Sequence, residues 1–280
     1  MKHLLRKTKF ISLIILMIFT VVASNSINHH KIAATPQSLR RCLVDSSIAC
    51  NDSSEPITLP TPTPALGLSD QERFLSAIAH NLPEVPQPGT YEYILLRVYG
   101  APFINSQSEI KFPPKVIFGN DQETKDYQAT LTMGKVNNTN NCYLQKVAAD
   151  ALNKARSLQN IPLKSGYGAS DCTRDFATNL RFWQKYANKN TLEKVKKGQE
   201  TRILSIVAPP GSSQHLWGLA IDLRVSNQKQ RQILNQNGWF QTVINDLPHW
   251  TYVGVAEQDL PQFGFKNQVS RGITYWVTPL

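Results

Sequence analysis

The side chains best suited to catalysis are a histidine and an aspartate seven positions apart and a second histidine further along the chain. His215 and Asp222 lie in the segment SSQHLWGLAIDL, and His249 begins the segment HWTYVG. On a strand, Gly218 and Ala220 would share the face of Asp222 and would leave space beside its carboxylate. Two imidazoles and one carboxylate match a three-ligand zinc site with a fourth position open for water. Spacing alone leaves open the other interpretation, in which both histidines are buried and structural.

The elements that would position these residues begin near Ser69. The segment from Ser69 to Glu72 predicts a helix start with a capping box, followed by apolar residues at helical spacing. The remaining hydrophobic pattern predicts helices over 143–158, 171–186 and 227–237 and strands over 127–133, 161–167, 203–208, 218–225 and 249–255. Helices grouped around a small, mainly antiparallel sheet make an α+β domain.

The composition is that of a globular protein and excludes several other classes. Hydrophobic residues make up 41% of the chain, which is too rich for a disordered protein, and the mean hydropathy of -0.30 excludes a protein with many membrane spans. Without the four basic residues at the N-terminus, the remaining 26 Lys and Arg against 20 Asp and Glu give a net charge of +6, which suits an anionic wall or membrane surface. Because no cluster of basic residues with interleaved aromatic residues is present, we do not expect nucleic acid as a partner.

The N-terminal segment predicts export. Four basic residues and no acidic one precede an apolar run over 10–22, which is too short to span a bilayer comfortably and is followed by small residues. We predict a signal peptide or an N-terminal membrane anchor over 1–24, a flexible tail with a Pro/Thr-rich linker over 25–68 and a folded domain over 69–280. The domain would then lie in the periplasm, in the cell envelope or outside the cell.

The four cysteines agree with export, since none forms a C-x-x-C pair and disulfides persist in oxidising compartments. Four cysteines allow three connectivities, of which the pairs Cys42–Cys50 and Cys142–Cys172 are the simplest. Buried free thiols are the alternative.

Three segments resemble one known family. Residues 213–222 fit S-x-H-x-x-G-x-A-x-D at every fixed position, and this pattern is similar to the signature of the zinc D-alanyl-D-alanine carboxypeptidases. Residues 246–254, DLPHWTYVG, resemble the family's E-x-x-H element, and residues 165–170, SGYGAS, resemble its S-G-Y-R-S element. The family includes vancomycin-resistance carboxypeptidases and peptidoglycan endopeptidases. It shares its fold with lysostaphin-type enzymes and the Hedgehog signalling domain.

The resemblance implies a metal site and a base. His215, Asp222 and His249 would bind Zn2+, which polarises the scissile carbonyl and activates a water molecule. The family's glutamate would take the proton of that water and return it to the leaving amine. Asp246 stands at the glutamate position, so the carboxylate is present but one methylene shorter.

The resemblance also implies substrate contacts, with one departure. Gly168 stands where the family usually has an arginine that steadies the substrate, and Arg174 is the nearer of two downstream arginines that would replace it as a catalytic group. Ser213, Tyr167 and Trp250 are the expected substrate-binding residues. For Trp250, packing beneath the sheet is the open alternative.

We therefore expect a monomeric, exported zinc peptidase-like domain over 69–280, acting as a carboxypeptidase on peptidoglycan stem peptides. An endopeptidase that cuts another bond of the same polymer is the first alternative. The second is a catalytically silent domain that keeps zinc and binds the cell wall or a protein. Retention of a carboxylate at Asp246 favours the enzyme, whereas its shorter side chain and the arginine missing at Gly168 favour the silent domain.

Overall fold

Residues 67–166 and 168–280 are described by the computed structural model of the chain. The predicted signal or anchor, almost all of the tail and linker, and the pair Cys42–Cys50 lie outside these residues. Within the described residues, no helix has both the length and the apolar character needed to cross a membrane.

Short polar side chains cap most of the helices. Ser69 accepts a hydrogen bond from the backbone N–H of Glu72, whose carboxylate accepts one from the backbone N–H of Ser69, so the predicted capping box is confirmed. The described α-helices are α1 (Asp70–Ile78), α2 (Tyr91–Tyr99), α3 (Asp121–Ala129), α4 (Lys146–Leu158), α5 (Phe176–Tyr186), α6 (Lys189–Lys196) and α7 (Gln228–Gln236).

The described strands form three small sheets in which every pair is antiparallel. The strands are β1 (Met133–Lys135), β2 (Tyr143–Gln145), β3 (Ala220–Asp222), β4 (Trp239–Phe240), β5 (His249–Tyr252), β6 (Lys266–Ser270) and β7 (Ile273–Val277). β1 pairs with β2, β6 pairs with β7, and the central sheet has the order β3-β5-β4. The predicted α+β class with small antiparallel sheets is confirmed.

The central sheet brings together residues that are distant in the sequence. In the β3–β5 register, Asp222 lies directly opposite His249. His215 lies on a one-turn 3₁₀ helix, Gln214–Trp217, which ends at Gly218 with φ 69°. A Cβ atom at Gly218 would lie only 3.2 Å from the backbone nitrogen of Gln145. A glycine therefore allows the chain to turn from the 3₁₀ helix into β3 beside β2.

Segments from both ends of the described chain pack into the core. Phe103 contacts Trp217 with ring centroids 5.3 Å apart, and Phe74 contacts Phe265 at 5.6 Å. Near the C-terminus, Thr278 donates its hydroxyl to a backbone carbonyl of α2. The helices before residue 130 and the final hairpin are thus packed into the same core as the central sheet.

The predicted strand over 127–133 is wrong. Residues up to Ala129 belong to α3, which Asn120 caps by accepting from the N–H of Glu123. Tyr127 and Thr124 are buried three residues apart, so they share a helix face that packs on the core. The alternating apolar residues include the last residues of this helix and the first residues after it, so they do not indicate a strand.

The predicted buried strand over 203–208 is also wrong. Arg202–Ser205 form a 3₁₀ helix, and the side chain of Ile206 is 57% exposed. Other predicted elements are of the right type but shorter. The helix predicted over 143–158 begins at Lys146, and the helix predicted over 171–186 begins at Phe176. Of the predicted strands, 161–167 is only a single bridge at Leu163, 218–225 is shortened to β3, and 249–255 is shortened to β5.

The predicted disulfide between Cys142 and Cys172 is confirmed. The two Cα atoms lie 5.4 Å apart, and both residues are buried. The bond links β2 and the start of α4 to the segment that leads into α5.

We expect Cys142→Ser to lower the free energy of unfolding by about 3–4 kcal/mol. The bond closes a loop with a sequence separation of 30 residues, and its loss frees the unfolded chain. Urea titration in the presence of a metal chelator measures the change, and the unmodified protein under reducing conditions should unfold at the same urea concentration as the variant. Equal stability of variant and oxidised parent would contradict this role.

Candidate metal centre and cleft

Three potential ligand atoms converge at the carboxyl end of β3. The Nε2 atom of His215 lies 3.2 Å from Nδ1 of His249 and 3.4 Å from Oδ1 of Asp222, and the last two atoms are 3.7 Å apart. All three residues are buried. A tetrahedral zinc with bonds of about 2.0–2.1 Å places its ligand atoms about 3.3 Å from one another. The cluster therefore fits a metal ion without rearrangement of the backbone.

The unused nitrogen of each imidazole is hydrogen-bonded, which fixes the tautomer. Nδ1 of His215 lies 2.8 Å from the carbonyl oxygen of Cys172, so it must carry the proton and donate it. Nε2 of His249 donates in the same way to Oε1 of Gln214 at 2.7 Å. Burial, together with the positive charge of Arg174, lowers the pKa of His215 to about 4. His215 is therefore neutral at neutral pH, and the lone pairs of both histidines face the cluster.

Gln214 is a positioning residue that sequence reasoning missed. Its side chain is buried, donates to the carbonyl of Tyr99 at 2.7 Å and accepts from the hydroxyl of Thr251 at 2.8 Å. The amide is thus held at both ends, with its oxygen directed at His249. Gln214 occupies a variable position of the motif, and only the pairing of β3 with β5 would have placed Thr251 within its reach.

Asp222 is held as a carboxylate by its neighbours. Burial acts to raise its pKa, but the guanidinium of Arg174, which forms an ion pair with it, helps to keep that pKa well below its usual range. Its second oxygen, Oδ2, accepts from Nη2 of Arg174 at 2.5 Å and lies 3.9 Å from the ammonium nitrogen of Lys164. Oδ1 is left facing the two histidines.

Arg174 lies beside the cluster, whereas Gly168 has no room for a side chain. The Nε atom of Arg174 donates to the carbonyl of Ser170, and its backbone N–H donates to the carbonyl of His215. Gly168 has φ 109°, and a Cβ atom there would lie 2.3 Å from the carbonyl oxygen of Asn140. An arginine at 168 is therefore excluded by packing, and the guanidinium beside the cluster is that of Arg174.

We expect Gly168→Ala to destabilise the protein by about 2–5 kcal/mol, because strained backbone and a steric clash add together. Gly166→Ala is the matched control, since Gly166 has φ 82° but a Cβ atom there would meet nothing within 4 Å. The control should cost only about 1–2 kcal/mol. Thermal unfolding of both variants measures the difference, and equal losses would show that contact with Asn140 is unimportant.

Asp246 lies in the same cleft as the cluster. A turn in which His249 donates its backbone N–H to the carbonyl of Asp246 sets the spacing between them. Burial raises the pKa of Asp246 to about 6, against the attraction of His249. Glu257, a second carboxylate that follows β5 in the chain, accepts from Asn235 and Trp276 and is not among the residues that line this cleft.

The three expected substrate contacts fall in different places. Ser213 lines the cleft and is buried. Tyr167 lies outside the described residues. Trp250 is only 1% exposed, is absent from the lining of the cleft and has the guanidinium of Arg231 over its ring at 5.9 Å. Because neighbouring side chains of β5 point to opposite faces, Trp250 is directed away from His249, and the substrate contact predicted for it is corrected to packing under the sheet.

The far side of the cleft is an apolar wall that the sequence did not predict. It is formed by the last turns of α5 and by the 3₁₀ segment that follows α6, and its members are Phe182, Tyr186, Leu204, Ile206, Val207 and Ala208. The guanidinium of Arg174 lies over the ring of Phe182, 4.8 Å from its centroid. The cleft thus joins a polar metal cluster to a surface that can contact the apolar parts of a peptide.

Comparison with known proteins identifies one family. The VanY family model, described as D-alanyl-D-alanine carboxypeptidase, matches residues 141–265. Neither the curated proteins nor the solved structures contain a match to the chain. The matched range includes the His215, Asp222 and His249 cluster together with Arg174 and Asp246. Residues 141–265 are therefore similar to the D-alanyl-D-alanine carboxypeptidases, the family that the sequence motifs also resemble.

Proposed function

We propose that the protein is an exported, zinc-dependent carboxypeptidase that hydrolyses the C-terminal peptide bond of peptidoglycan stem peptides. The observation that carries the proposal is the approach of three ligand atoms from His215, Asp222 and His249 to within 3.2–3.7 Å, with Asp246 in the same cleft. The matched family supports a hydrolase that acts on peptides of the cell wall. The disulfide between Cys142 and Cys172 supports an oxidising compartment outside the cytoplasm.

Different residues of the cleft bind the metal, transfer the proton and bind the peptide. Zinc held by the two histidines and Asp222 would supply Lewis-acid polarisation of the scissile carbonyl and lower the pKa of an attacking water. Asp246 accepts the proton of that water and passes it to the leaving amine. Arg174 keeps Asp222 ionised and directed at the cluster through the contact at 2.5 Å. Ser213 and the apolar wall bind the peptide.

Incubation of the full-length protein with zinc and defined muropeptides, followed by mass measurement of the products, tests the proposal. Loss of a single C-terminal residue is the expected result. Cleavage inside the stem or the crosslink would assign the protein to the endopeptidases of the same family. Zinc binding and peptidoglycan binding without any product would assign it to the silent binding domains.

We expect Gln214→Leu to weaken zinc binding by about 10- to 100-fold, because His249 would lose the acceptor that fixes its tautomer. Competition with a chromogenic chelator measures the affinity. Thr251→Val removes one of the two donors to Gln214 and leaves the bond to His249 in place, so we expect a smaller loss. Unchanged affinity in Gln214→Leu would show that the amide does not position the ligand.

A further inference from the structure

The apolar wall of the cleft carries a row of cations. Two guanidinium groups lie near the ring of Phe182. The carbon atom of the Arg174 guanidinium is 4.8 Å from the ring centroid, and that of Arg181 is 5.4 Å from it. One turn further along α5, the ammonium nitrogen of Lys185 lies 5.1 Å from the ring centre of Tyr186. Both aromatic residues line the cleft, and the exposed cations Arg181 and Lys185, which do not line it themselves, lie against these two rings; we call them the rim cations.

These rim cations have no carboxylate partner among residues 67–166 and 168–280. The ion pairs of α5 and α6 consist of one contact, between Lys196 and Glu193, which involves neither Arg181 nor Lys185. The surrounding segment is strongly basic. Residues 181–202 contain two acidic residues, at 193 and 200, and seven basic ones, at 181, 185, 189, 194, 196, 197 and 202. The segment that carries the wall is therefore positively charged overall, which favours the approach of an anionic ligand.

The rim cation Arg181 lies within reach of a peptide that is bound at the metal cluster. Arg174 and Arg181 lie 4.8 Å and 5.4 Å from the same ring, so their guanidinium groups are within about 10 Å of each other. An extended chain advances about 3.3–3.6 Å per residue, so this distance spans up to about three residues. Arg174 marks the position of the metal cluster because it is bonded to Asp222.

We infer that the rim formed by Arg181 and Lys185 is a subsite for an acidic side chain of the substrate, two or three residues before the scissile bond. This inference rests on the proposed function, since a carboxypeptidase removes the last residue and leaves only the N-terminal side of the substrate to reach the rim. The ligand class is an acidic peptide, whose carboxylate pairs with the rim cations while its backbone lies along Phe182 and Tyr186.

Two peptides that differ only by glutamate or glutamine at the third residue before the scissile bond test the subsite. Calorimetric titration of the full-length protein at low ionic strength gives their dissociation constants, and kcat/KM is measured in parallel. We expect the acidic peptide to be favoured about 3- to 10-fold, the range of one or two exposed ion pairs, and the preference to shrink as salt is added. In the double variant Arg181→Gln/Lys185→Gln the preference should disappear.

The control is Lys154→Gln/Lys229→Gln, which removes the same charge from exposed positions on α4 and α7. It should keep the full preference, whereas a loss equal to that of the rim variant would overturn the subsite in favour of a general charge effect. Equal binding of the two peptides by the parent would also overturn it. Hydrolysis of both peptides without preference refutes the subsite alone, while preferential binding without hydrolysis refutes the proposed enzyme and retains the subsite.

Discussion

Asp246→Asn should reduce hydrolysis of muropeptides by about 10²- to 10⁴-fold, which is the usual contribution of a general base. The variant should still bind zinc, because His215, Asp222 and His249 are unchanged. The amide has nearly the same size as the carboxylate but cannot accept a proton at neutral pH. Steady-state kinetics combined with elemental analysis of the same sample separates loss of the base from loss of the metal.

Asp246→Glu is the companion variant, since it restores the family's residue at this position. It should retain activity, because a carboxylate remains in the cleft. If Asp246→Asn hydrolyses muropeptides as fast as the parent, Asp246 is not the base. Glu257 could not then take over the role without a rearrangement, since it is bound to Asn235 and Trp276 and does not line the cleft.

His215→Ala or His249→Ala should abolish stoichiometric zinc binding and, with it, activity. Each change removes one of the two imidazoles of the cluster, and among the described residues no further histidine, cysteine or carboxylate belongs to it. Both variants should also lose the stabilisation that zinc gives to the parent on heating, because a ligand stabilises only a fold that binds it.

His80→Ala is the matched control, since this histidine is exposed on the chain that follows α1. It should retain one zinc per chain and the melting temperature of the parent. Stoichiometric zinc in both His215→Ala and His249→Ala would refute the metal site.

The sequence predicted those parts of the site that depend on local spacing. Asp222 lies on a strand and follows two small residues, Gly218 and Ala220. His215 lies in the turn just before this strand, so one short motif describes both ligands. His249 could be added because its own segment has a recognisable pattern. For Trp250 the sequence left both a substrate contact and packing beneath the sheet open, since a strand pattern gives alternation but not which face is buried.

Contacts between distant segments could not be predicted in the same way. Gln214 depends on Tyr99, more than a hundred residues earlier, and no periodicity connects the two. The wall of Phe182 and Ile206 depends on how α5 and the following segment fold over the cluster. The wrong strand over 127–133 has another cause. Where a helix ends, a few apolar residues can fit the helical spacing and the alternation of a strand equally well.

The hydrogen bond from Gln214 to Tyr99 determines which part of the chain must be kept when the protein is shortened. The family match starts at residue 141. The side chain of Gln214, which holds His249, is itself bonded to the carbonyl of Tyr99 in α2, before the start of the match. On the other side, Thr278 reaches back to the same helix beyond the end of the match at residue 265. A fragment cut at the boundaries of the match would lose the contact of Phe103 with Trp217 and an anchor of the candidate metal site, so we expect the matched segment to need its flanks in order to fold. Metal affinity measured on such a fragment would report the missing flanks rather than the ligands.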